Sequence, residues 1–137
     1  MLKFDPNKCY IAYLSFPFSS KPKELTEKAC SIGRKIMEKY PNIFVVVPHS
    51  SVDITMFGPP RECMKDYGAR EHSLAPQIEF TILSKIDIFI QGVPDDPSIS
   101  MGCIWEHSFV LWLNRTRKKQ VIMLTPKDLL GEGYEDK

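Results

Sequence analysis

Apolar positions along this chain fall in short runs separated by stretches of helical periodicity. Cys9 to Leu14 (CYIAYL) is a compact run rich in β-forming residues and predicts a buried strand. Leu25, Ala29, Ile32 and Ile36 then recur at helical spacing with charges between them, which predicts an amphipathic helix. Ser20 is its expected N-cap and Pro22 lies near its first position. Lys35 and Lys39 fall in the last turn, where cations suit the helix dipole, and Pro41 ends the segment. Three more apolar runs predict strands: Ile43 to Val47 (IFVVV), Ile86 to Ile90 (IDIFI) and Gln120 to Leu124 (QVIML). Two further helices are expected, over about Pro76 to Lys85 and about Met101 to Asn114.

Buried β-branched runs alternating with amphipathic helices imply a parallel sheet covered on both faces. With right-handed crossovers the expectation is an α/β fold, a small doubly wound (Rossmann-like or flavodoxin-like) parallel sheet of four to five strands. Residues 1–137 are expected to form one domain, since the length gives one real core and not two. In such a fold ligands bind beyond the carboxyl ends of the strands. The loops expected there are Ser15 to Ser20, Pro48 to Asp53, Ile54 to Ala75 and Gln91 to Met101. The Ile54–Ala75 stretch, with Gly58-Pro59-Pro60, is long for a simple connection and suggests a lid or interface element.

Composition narrows the function. A net charge of +1 gives no general affinity for nucleic acid or membrane. No run approaches the length of a membrane span, and the first residues lack the apolar stretch of a signal peptide, so a cytoplasmic protein is expected. The four cysteines, Cys9, Cys30, Cys63 and Cys103, form no CxxC pair and read as free thiols in a reducing compartment, with Cys9 on a core strand and Cys30 on a helix. His49, His72 and His107 have no ligand-pair spacing, so no metal is expected. No cofactor is expected either.

The chemistry concentrates in Ser100-Met101-Gly102-Cys103-Ile104-Trp105-Glu106. It follows a strand and a turn-rich loop and runs directly into an apolar helix. The N–H groups of such a helix start can hold an anion, and Glu106 is a lone carboxylate one step further on. Read from position alone, Glu106 is a first-turn glutamate complementing the helix dipole. Asp87, opening the third strand, reads as structural, a candidate cap for a neighbouring turn.

Four features together resemble the nucleoside 2-deoxyribosyltransferase family, including its relatives that hydrolyse deoxynucleoside 5'-monophosphates. Tyr13-Leu14-Ser15-Phe16-Pro17-Phe18 is similar to the loop ending that family's first strand. Pro48-His49 follows the second strand. Glu79 stands eight residues before Asp87, the spacing of a family acid. Ser100 to Glu106 matches the hydrolases' Ser-x-Gly-x-x-aromatic-Glu stretch. The resemblance spans about residues 9 to 124. It implies cleavage or transfer of the N-glycosidic bond of a (deoxy)nucleoside or its 5'-monophosphate. Glu106 would be the nucleophile, Glu79 the acid that assists the leaving base, with Asp53 behind it, and Tyr13 the residue orienting Glu106. Ser15, Phe16, Pro17, Phe18, His49, Asp53, Ser98, Ser100 and Gly102 would bind substrate. Phe16 stands where the family usually has glycine, and Ser19 where the hydrolases have arginine.

Two other readings stay open: a nucleotide-binding or regulatory module of the same fold with weak chemistry, and a glycohydrolase acting on a dinucleotide such as NAD. The family assembles as dimers or larger, so the resemblance implies a homo-oligomer. The helix carrying Trp105, Phe109 and Trp112 is the candidate interface, having more aromatic surface than so small a chain easily buries.

Overall fold

The structure is a computed structural model and describes residues 4–17, 22–47, 82–92, 101–117 and 120–134. Four strands form one sheet: β1 (Tyr10–Ser15), β2 (Ile43–Val46), β3 (Ile88–Gln91) and β4 (Ile122–Leu124). All pairings are parallel and the order is β2-β1-β3-β4. Among the described residues the helices that accompany them include α1 (Pro22–Lys39), α2 (Met101–Thr116) and α3 (Pro126–Leu130).

Period-two alternation sorts the strand residues between two cores. Ala12, Leu14, Val45, Ile88 and Ile90 pack with Ala29, Ile32 and Ile36 of α1 and Leu129 of α3. Tyr13 and Phe89 project to the other side and pack with Val110 of α2, joined by Leu83, Ile86 and Val121. Helices therefore cover both faces, as the apolar runs implied. After β1 the chain moves outward to β2, then crosses back past β1 to β3. That reversal puts the topological switch point between the carboxyl ends of β1 and β3, where such sheets bind ligands.

The element boundaries differ in detail from the sequence expectation. Cys9 is exposed and precedes β1, so it is not a core-strand residue. β3 starts at Ile88 because Asp87 serves as a tie. Its carboxylate accepts from the Ile11 N–H at 2.9 Å, its own N–H donates to the Ile11 carbonyl, and its carbonyl accepts from Ile122 N–H. Ile82 and Leu83 are helical. The rest of the expected Pro76–Lys85 helix and the Ile54–Ala75 segment lie outside the described residues.

Helix α3 was not anticipated, although its start is written in the sequence. The Thr125 hydroxyl accepts from Asp128 N–H while the Asp128 carboxylate accepts from Thr125 N–H, a reciprocal capping box, with Pro126 at the first position. Among the described residues no helix is long and apolar enough to cross a membrane.

Candidate active site

Tyr13 and Ser15 are two apart on β1, so both project from the sheet face that α2 covers. Glu106 lies in the second turn of α2, not the first, and points back at that face. It is only 7% exposed. The Ser15 hydroxyl donates to Glu106 Oε1 at 2.8 Å, and the Tyr13 phenol donates to Oε2. Each oxygen of one buried carboxylate thus has its own hydroxyl donor from a neighbouring strand. The first-turn dipole role is therefore not what places Glu106.

Burial opposes the charge on this carboxyl. Desolvation raises its pKa to about 7, and the hydrogen bonds from Tyr13 and Ser15 pull the other way by favouring the ionised form. A carboxyl poised between its two states near neutrality suits a nucleophile or an acid–base catalyst.

The framework around it is tight. Gly92 follows β3 and its N–H donates to the Ser15 carbonyl at 2.8 Å. A side chain at 92 would place its Cβ 2.6 Å from that carbonyl oxygen and 2.6 Å from the Phe16 ring. Glycine is what lets the ends of β1 and β3 close on each other. The Phe16 ring itself is buried on the α1 side, in the core with Leu14 and Ile90. Its side chain is a core element, and only its backbone stands at the end of β1. Behind Tyr13, the ring of Phe89 stacks at 6.2 Å, and His107 stacks on Phe89 in turn.

The structure thus brings together Tyr13, Ser15 and Glu106. Pro17 follows β1 and is half-buried. Gly102 is the second residue of α2, in the turn whose N–H groups lack intrahelical partners. Phe18, His49, Asp53, Glu79, Ser98 and Ser100 lie outside the described residues. Ser15, expected to bind substrate, instead donates to Glu106. The two-residue spacing from Tyr13 was the signal that both share a face.

A pocket of about 130 Å³ opens at the carboxyl ends of β3 and β4, lined by Phe89, Gln91, His107, Met123, Thr125 and Asp128, among others. It is large enough for one small ring. Among the described residues no three His, Cys, Asp or Glu side chains converge as metal ligands. Compared with known proteins, the chain matches no protein-family model and no curated protein significantly.

Proposed function

We propose that this chain cleaves or transfers the N-glycosidic bond of a (deoxy)nucleoside or its 5'-monophosphate, with Glu106 as nucleophile. The observation that carries the reading is the buried Glu106 carboxylate gripped by Tyr13 and Ser15 at the carboxyl end of the sheet. A carboxylate fixed there can attack an anomeric carbon as the bond to the base breaks. The base leaves with the bonding electrons and takes a proton from an acid, and the sugar is held as an ester on Glu106. Water or a second base then releases the sugar. Hydrogen bonds that hold both carboxylate oxygens reduce the cost of orienting the attack.

In this reading Glu79 supplies the proton to the base, with Asp53 as its reserve. Ser98, Ser100, Gly102 and the first amides of α2 hold the 5' substituent. Pro17, Phe18, His49 and the backbone of Phe16 line the sugar and base. No cofactor is required, because acid and nucleophile complete the step. Cys9 and Cys30 are free thiols, which fits work in a reducing cytoplasm.

The test is incubation with a panel of deoxynucleosides, their 5'-monophosphates and NAD, with and without a second free base. Release of base from the deoxy compounds is expected, and its exchange for the added base identifies transfer. Thermal stabilisation by these ligands without any base release would instead make the chain a binding module. Cleavage of NAD alone would make it a dinucleotide glycohydrolase.

A further inference from the structure

No residue lining the pocket at the carboxyl ends of β3 and β4 acts in the proposed chemistry. Its volume of about 130 Å³ is near the roughly 150 Å³ of a protein cavity that takes benzene, so it matches one six-membered ring. Strand alternation builds it. Phe89 and Gln91 are two apart on β3, and Phe89 pairs with Met123 of β4. Phe89 and Met123 both face the core that α2 covers, and His107 of α2 stacks on the Phe89 ring at 6.2 Å. Thr125 and Asp128, the capping pair of α3, stand at the rim. Neither Tyr13, Ser15 nor Glu106 lines this space, and Phe89, which does, also stacks with Tyr13 at 6.2 Å. A ligand there is one aromatic ring removed from the phenol that donates to Glu106.

The polar groups of the pocket have unused capacity. Among the described residues neither the Gln91 side-chain amide nor the His107 imidazole has a hydrogen-bond partner. Asp128 Oδ2 accepts from the Thr125 N–H at 2.9 Å, and the Thr125 hydroxyl accepts from the Asp128 N–H at 3.2 Å. That leaves the second Asp128 oxygen as an acceptor and the Thr125 hydroxyl proton as a donor. An apolar floor with a few convergent polar groups is the usual build of a small-molecule site. Its chemistry selects the occupant. A bare hydrocarbon ring would bury the Gln91 and His107 groups without partners, which costs free energy. An anion would be repelled by Asp128. A carboxylate only accepts, so the group that meets it must carry N–H donors, while Gln91, His107 and Thr125 can donate to acceptors on the same ring. We infer that this pocket binds a six-membered nitrogen heteroaromatic bearing an N–H2 group, as in an aminopyrimidine or a pyridine carboxamide. The ring packs on Met123, the N–H2 group donates to Asp128, and the acceptors of the ligand face Gln91 and His107. The site does not use Glu106, so it stands whether or not the proposed chemistry does.

Met123 provides the readout. The chain has six methionines, and isotope labelling of their methyl groups gives each a signal in the nuclear magnetic resonance spectrum. Met123→Leu identifies the signal from the pocket. Cytosine and nicotinamide are titrated into the full chain, with uracil, which carries no N–H2 group, for comparison. A saturable ring-current shift of the Met123 methyl is expected with cytosine or nicotinamide, and the tighter of the two tells an aminopyrimidine from a pyridine carboxamide. Asp128→Asn keeps an acceptor for the α3 cap and is expected to weaken binding about ten-fold or more, the value of a hydrogen bond to a charged group. His107→Phe keeps a ring against Phe89 and is expected to weaken it about three-fold or more, the value of a neutral hydrogen bond. Glu106→Gln is expected to leave binding unchanged, which separates this site from the proposed catalysis. A Met123 signal that neither ring moves overturns the inference. So does uracil binding as tightly as both, a shift that both pocket substitutions leave intact, or a shift that Glu106→Gln abolishes.

Discussion

Among the described residues Glu106 is the one where burial and charge oppose each other most directly. Its carboxyl titrates near 4.5 in the unfolded chain and at about 7 when folded. Between those values the folded protein holds a proton the unfolded chain has released, so stability falls as pH rises and the loss is complete above the folded value. The size of that loss is roughly 3 kcal/mol at 1.36 kcal/mol per unit. Glu106→Gln, which keeps shape and removes the titration, is expected to be more stable than wild type at pH 8, with the gap closing toward pH 4.5. Urea unfolding of both proteins across this range measures it, and a gap independent of pH contradicts it. Ser15 belongs to the same balance, because its hydrogen bond favours the ionised form. Ser15→Ala is expected to move the acid limb of kcat/KM to higher pH and to cost about ten-fold or more at neutrality, the value of a hydrogen bond to a charged group. An unmoved limb would leave Ser15 a merely structural residue. Tyr13 and Glu106 were legible as partners only through their place in an ordered set of motifs. The contact itself joins residues 93 apart in the chain, which no local pattern encodes.

At the scale of elements, the strands were legible because buried parallel strands are uninterrupted apolar runs. Their ends were less so. Asp87 closes the foot of the sheet by side-chain bonding rather than opening β3, and Cys9 precedes β1. Helix α3 is too short to show apolar periodicity and is declared by its cap instead. The junction of β1 and β3 depends on one glycine that no motif had singled out. Gly92→Ala is expected to destabilise the protein by about 1 to 3 kcal/mol, since the added methyl meets a backbone oxygen that moves only with the strand. The same displacement carries Ser15 away from Glu106, so base release is expected to fall further than stability alone explains. Unfolding and turnover measured together check this, and a neutral substitution contradicts it.

At the scale of the whole molecule, alternating runs reduced the fold to a doubly wound sheet but did not order its strands. The order comes from pairings such as Tyr13 with Phe89, which bring distant segments into register. Once β1 stands between β2 and β3, the switch point falls at Ser15 and Gly92, and α2 must begin beside it. Placing a buried carboxylate on that helix, over that strand, is what turns a common fold into a candidate catalyst. The most direct test is to trap the sugar on Glu106. A fluorine at the 2' position withdraws electrons from the anomeric carbon and slows turnover of a glycosyl ester. After incubation with a 2'-fluorinated deoxynucleoside 5'-monophosphate, the proteolytic peptide containing Glu106 is expected to gain the mass of the fluorinated sugar phosphate. Base release with no such gain, or with the sugar on another carboxylate, contradicts the assignment of Glu106 as nucleophile.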